Sequence, residues 1–113
     1  MTEFAATTTV TPAADGAVTV TATGELDMTS APDLINVLRE AIRRHGPSRV
    51  DLDLTGVTFM DSTGLQVLVA ANTDVGGGLR ITGTSPAVYR LLQLTGVLEE
   101  FGLPSVRSGQ IAT

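Results

Sequence analysis

The chain has 113 residues, no cysteine, no tryptophan, no lysine and a single histidine, with 7 arginines against 12 acidic residues for a formal net charge of -5. That length predicts one domain, in which roughly 65% of the unfolded surface becomes buried, so a core forms without staples. Disulfides, thiolate metal sites and cysteine nucleophiles are excluded together, no metal or cofactor is expected, and the acidic balance argues against a general nucleic-acid surface.

The first basic residue is Arg39, so a positive n-region is missing, and Met1 to Pro12 is threonine-rich where a secretory signal is apolar. The densest apolar stretch, Val67 to Ala71, is far shorter than the roughly 20 residues a membrane span needs. A cytoplasmic protein with no membrane partner is the expectation.

Phe4 to Thr11 predicts a first, weaker strand, and Pro12 to Gly16, with its Asp15-Gly16 pair, a hairpin turn. Ala17 to Gly24 alternates Val18, Val20 and Ala22 with Thr19, Thr21 and Thr23, which predicts a strand with one covered face, antiparallel to the first. Ser30 to His45 places Leu34, Leu38, Ala41, Ile42 and His45 at helical spacing. Ser30 is the expected N-cap with Asp33 as capping-box carboxylate, and Gly46-Pro47 is the stop.

Arg49 to Leu54 alternates again, with Val50, Leu52 and Leu54 inward and Asp51 and Asp53 outward. Thr55 to Ser62 joins this strand to the next helix. A second helix is predicted over Thr63 to Asp74, apolar round most of its circumference and therefore buried, and Gly76-Gly77-Gly78 ends it. Leu79 to Gly83 is a short strand. Ser85-Pro86 opens a third helix closed by Gly96, and Leu98, Phe101 and Leu103 suggest one more packed turn. Strands separated by such helices predict an α/β fold with a mostly parallel sheet of four to five strands and an N-terminal antiparallel strand. The polar alternate residues on the strands place the helices mainly on one face.

The most unusual local chemistry is Val57-Thr58-Phe59-Met60-Asp61-Ser62-Thr63-Gly64-Leu65, which puts two hydroxyls at the start of the second helix. Plain capping is one reading, worth about 0.5 to 2 kcal/mol. The other is phosphoryl acceptance, because a helix N-terminus offers free N–H groups and the positive end of the dipole. A phosphoserine adds about 1.5 to 2 negative charges at pH 7. Beside Asp61, unit charges about 4 Å apart repel by roughly 1 to 4 kcal/mol, against about 0.3 to 1 kcal/mol returned by the dipole. Screened by water, the fold tolerates this; buried against a partner, it lowers affinity roughly tenfold to a thousandfold.

Gly24-Glu25-Leu26-Asp27, Asp53-Leu54-Thr55-Gly56-Val57, Met60-Asp61-Ser62-Thr63-Gly64-Leu65 and Ser85-Pro86 through Leu94-Thr95-Gly96 occur in an order that resembles the anti-sigma factor antagonists of the STAS domain family. The resemblance covers about residues 4 to 104, and residues 105–113 are expected to be a flexible tail. It implies a small bacterial regulator that binds an anti-sigma factor serine kinase and frees a sigma factor. It also implies that the kinase phosphorylates Ser62, with Thr63 the second candidate acceptor, and that a phosphoserine phosphatase reverses the step. Gly24, Glu25, Asp27, Asp61, Ser62, Thr63, Gly64 and Gln66 are then expected on the partner-facing surface. Gln66 stands where many relatives have glycine, and Ser105 to Thr113 lacks the apolar period of the final helix many relatives have.

Two other functions compete. A STAS module can be an adaptor, for instance beside a transporter, with no phosphorylation. A hydrolase would need a base near Ser62, yet His45 is predicted at the far end of the first helix, where it complements the dipole, and the string is not Gly-x-Ser-x-Gly. Asp51, Asp53 and Asp61 read as solvated carboxylates. Arg39, Arg43, Arg44 and Arg49 read as helix-end and surface charges, and Gly76 to Gly78, with no Gly-Lys-Ser/Thr after it, as a turn. The chain is therefore expected to be the substrate of a kinase and not an enzyme.

Overall fold

The computed structural model describes residues 7–12 and 15–103. Four strands, β1 (Thr7–Pro12), β2 (Ala17–Leu26), β3 (Arg49–Met60) and β4 (Leu79–Thr84), form one sheet in the order β1-β2-β3-β4. β1 is antiparallel to β2, and β2, β3 and β4 are mutually parallel. Helices α1 (Ala31–His45), α2 (Ser62–Asp74) and α3 (Pro86–Thr95) connect or follow them, and a 3₁₀ turn, Glu99–Phe101, closes the described chain. The expected start of the first strand at Phe4, part of the hairpin turn and the tail at 105–113 lie outside the described residues.

The alternation in β2 and β3 works as the period demands. Val18, Val20, Ala22, Val50, Leu52 and Leu54 are buried in a single cluster with Leu34, Leu38 and Ala41 of α1, Val67, Leu68 and Ala71 of α2 and Val88 and Leu92 of α3. Leu98 and Phe101 join the same cluster, which is the packed turn the sequence suggests. The opposite strand positions are exposed, as at Thr11, Arg80 and Thr82, or half-buried, as at Thr19, Thr21, Asp51 and Asp53, so the helices share one face of the sheet.

β3 is twice as long as its alternation predicts. Between Thr21↔Asp53 and Thr23↔Gly56, and again between Gly24↔Val57 and Glu25↔Phe59, it advances one residue more than β2. Each step is a bulge, which leaves one residue unpaired and bends the strand. Burial in this stretch accordingly falls at Leu54, Val57 and Met60, three residues apart. The segment expected only to join strand and helix is thus itself strand, with its period broken. It has β2 on one side only, since pairing with β4 ends at Leu54↔Thr84.

The start of α1 also differs from expectation. Ser30 has helical φ and ψ of -98° and -21° and makes no cap through its side chain. Its hydroxyl donates to the Glu25 carbonyl and accepts from the Asp27 N–H at 3.1 Å, while Asp27 Oδ1 accepts from the N–H groups of Thr29 and Ser30, each at 3.0 Å. Asp27 therefore organises the β2–α1 turn. Asp33 sits exposed in the first turn, where it complements the dipole.

Arg39, Arg43, Arg44 and Arg49 lie toward the other end of the sheet, where the parallel strands begin. Arg39 pairs with Asp74 at 2.8 Å, Arg43 with Glu40 at 2.6 Å, and Arg49 with Asp15 at 3.0 Å and Asp51 at 2.9 Å. His45 is exposed at the last residue of α1. Asp51 and Asp53 are half-buried, and Asp53 accepts from both the hydroxyl and the N–H of Thr55, which hold its carboxyl below the usual carboxylate range.

Candidate functional site

Because β2, β3 and β4 are parallel, their carboxyl ends share one edge, and each helix starts there. The three starts are not level. β4 stops beside Leu54, six residues short of Met60, or roughly 20 Å along an extended strand. The β2–α1 turn and the β3–α2 junction therefore project beyond the start of α3.

These two projecting segments are joined. Leu26 pairs with Met60, and the Asp61 N–H donates to the Leu26 carbonyl at 3.3 Å. Gly64 seals the join: a Cβ at this position would lie 3.1 Å from the Leu26 carbonyl oxygen, 3.2 Å from Leu26 Cβ and 2.6 Å from Met60 Cγ. Glycine is needed here for close approach. Gly64 is buried, so its expected place on the partner-facing surface is corrected: it positions the site from beneath. Gly24 has φ 100°, a left-handed conformation that favours glycine, and its carbonyl accepts from the Thr58 hydroxyl at 3.4 Å.

At the start of α2, Asp61 is the N-cap, its Oδ1 accepting from Thr63 N–H at 2.9 Å and Gly64 N–H at 3.4 Å. Ser62, the first helical residue, is exposed and its hydroxyl bonds to no other described residue. Thr63 is half-buried, and Gln66, one turn on, is exposed. Glu25 is exposed and Asp27 half-buried. Hydrogen bonding, chiefly from the Ser30 N–H, holds the Asp27 carboxyl below its ordinary pKa. Seven of the eight expected residues thus gather at one solvent-facing corner, and Gly64 lies under it.

Serine begins or precedes each helix, and the three have different fates. Ser30 is 3% exposed and is consumed inside the β2–α1 turn. Ser85 caps α3 by accepting from Val88 N–H at 3.3 Å. Ser62 alone has its capping duty taken by a neighbour, and its oxygen is left for chemistry.

Met28 and Phe59 also reach the surface here, without a signal in the sequence. Met28 is 74% exposed in the β2–α1 turn, and Phe59, paired with Glu25, is 46% exposed beside the junction. Apolar residues are expected inside, and only the bulges and the Asp27 turn bring these two out. The α2 expectation needs the same correction: Val67, Leu68 and Ala71 are buried, but Val69 is 47% exposed. Among the described residues no three His, Asp or Glu side chains cluster to hold a metal ion, and no helix is long and apolar enough to cross a membrane.

Comparison with known proteins agrees with this architecture. A Staphylococcus epidermidis anti-sigma-B factor antagonist is 38% identical over 77 residues, covering 66% of this chain and 70% of that protein. A Paenibacillus polymyxa anti-sigma F factor antagonist is 31% identical over 87 residues, covering 74% of each. The crystal structure of an anti-sigma factor antagonist from Mycobacterium paratuberculosis superposes with a TM-score of 0.80 at 29% identity, covering 98% of this chain and 95% of that one. The STAS domain family model matches residues 8–109, and with a four-stranded mixed sheet, three helices and these relatives, the chain belongs to the STAS domain family.

Proposed function

We propose that this chain is an anti-sigma factor antagonist that binds an anti-sigma factor serine kinase and is released by phosphorylation of Ser62. The observation that carries the reading is the exposed hydroxyl of Ser62, engaged by no described residue, at a helix start that Asp61 already caps. A phosphoryl group can be added there without removing a hydrogen bond from the fold. The relatives' names supply the partner class.

The chemistry requires nothing catalytic from this chain. Ser62 Oγ attacks the γ-phosphorus of ATP held by the partner, its proton passes to a base of the partner, and ADP leaves. The product changes a chain of net charge -5 by about -1.5 to -2 at one point of the binding corner. With Asp61 adjacent and water excluded by the partner, the added charge opposes rebinding. A phosphoserine phosphatase returns the hydroxyl by transferring the phosphoryl group to water. On this reading the chain acts in the cytoplasm as a regulator and kinase substrate.

The test is titration of purified kinase-type anti-sigma factors of the source genome with the parent, Ser62→Ala and Ser62→Glu. The parent and the alanine variant are expected to bind, and the glutamate variant to bind tenfold to a thousandfold more weakly. With ATP, the parent alone gains about 80 Da. Equal binding by Ser62→Glu, or a mass gain on Ser62→Ala, contradicts the reading. Binding with no mass gain points to an unphosphorylated adaptor.

A further inference from the structure

Met28 is the most exposed large apolar residue among those described, at 74%, and it stands two residues past Leu26, the residue to which Asp61 is hydrogen-bonded. Its backbone is held on both sides. Asp27 Oδ1 bridges the N–H groups of Thr29 and Ser30, and the Ser30 hydroxyl ties Asp27 N–H to the Glu25 carbonyl. A turn so constrained presents its tip in one place and loses little backbone freedom on binding. Phe59, 46% exposed and paired with Glu25, adds a second apolar surface to the same edge.

The charges around this patch narrow its occupant. Residues 24–30 and 55–66 contain Glu25, Asp27 and Asp61 and no cation. An anionic membrane surface or a nucleic acid would be repelled there. An apolar side chain ringed by acidic and uncharged groups fits a protein pocket, and methionine's flexible thioether adapts to an irregular one.

We infer that Met28 is an apolar anchor that enters a hydrophobic pocket of the same partner that engages Ser62, so that the β2–α1 turn sets partner choice while Ser62 sets the on and off states. The inference rests on the reading of Ser62 as a partner-facing switch. The two residues sit on different segments joined at Leu26 and Asp61, so a partner covering Ser62 extends over the turn.

The experiment titrates each purified kinase-type anti-sigma factor of the source genome with the parent, Met28→Leu, Met28→Asp and Ser62→Glu, and follows phosphorylation kinetics for the first three. Met28→Asp is expected to weaken binding roughly 30- to 100-fold, the range of a central interface residue. Met28→Leu is expected to stay within about threefold, since it conserves apolar volume. Met28→Asp should raise KM for phosphorylation with little change in kcat, because it removes binding distant from the reacting oxygen. All should melt with the parent, as Met28 is outside the core. If Met28→Asp binds like the parent while Ser62→Glu does not, the anchor is wrong and the Ser62 reading stands. If neither substitution weakens binding, or no kinase-type anti-sigma factor binds the parent, the Ser62 reading fails and the anchor with it. Loss of self-association in sedimentation of Met28→Asp, with partner binding unchanged, would assign the patch to a second copy and overturn the inference.

Discussion

Two helix starts on the same edge of the sheet use serine in opposite ways. At α1, Ser30 is 3% exposed and its hydroxyl links Glu25 and Asp27, so the residue belongs to the fold. At α2, Asp61 satisfies the first amides and Ser62 stands in solvent with its hydroxyl unengaged by any described residue. A carboxylate accepts from two N–H groups at once, and where one is placed at the cap, the hydroxyl beside it becomes surplus to stability. A modifiable serine is one whose structural work has been handed to a neighbour.

The largest expected effect is on binding, where Ser62→Glu should lower affinity for the anti-sigma partner tenfold to a thousandfold with the melting temperature nearly unchanged. Finding binding intact would erase the functional half of the contrast. Next, Ser30→Ala leaves the Glu25 carbonyl and the Asp27 N–H without their bridge and should cost about 1 to 3 kcal/mol in urea unfolding. A neutral result there would mean that Ser30 is as dispensable as Ser62.

Asp61→Ala should cost about 1 kcal/mol, as should Ser85→Ala, each by loss of a cap. The two effects should add, because the sites share no partner. Ser62→Ala should change stability by less than about 0.5 kcal/mol, the surface value. A larger loss would show that the hydroxyl has a role in the fold.

The smallest expected effect is that of pH on the β2–α1 turn. The folded state lowers the pKa of Asp27 below its ordinary value, near about 3.9, chiefly through the Ser30 N–H. Its contribution is therefore present above the ordinary value and lost as pH falls through the lowered one. Amide exchange or chemical shifts of Thr29 and Ser30 should report loosening only below about pH 4, and no change between about pH 5 and 8. Loosening near neutrality would contradict it.

Much of this arrangement is legible in the residues. Alternation at Val18, Val20 and Ala22 and at Val50, Leu52 and Leu54 identifies one covered face, and Leu34, Leu38 and Ala41 identify the buried stripe of α1. Ser85-Pro86 and Gly96 mark the ends of α3 as the sequence suggests, with Ser85 capping and Gly96 left-handed at φ 77°. The strand through Thr55 to Met60 is not legible, because two bulges replace a period of two with burial at every third residue. Neither are the exposure of Met28, which the hydrogen bonds of the Asp27 turn set, or the burial of Gly64, which depends on where Leu26 passes.

The sequence by itself determined the class of fold, the capped start of α3 and the presence of a hydroxyl beside a carboxylate at the start of α2, because these follow from local periodicity and capping chemistry. Only the tertiary structure decided which serine is free. That choice depends on whether the folded turn brings a carbonyl within reach, as the β2–α1 turn does for Ser30 through Glu25, five residues earlier, or leaves the oxygen facing water, as at Ser62. Hydrogen-bond demand is written locally, but its satisfaction depends on which segments the folded chain brings together.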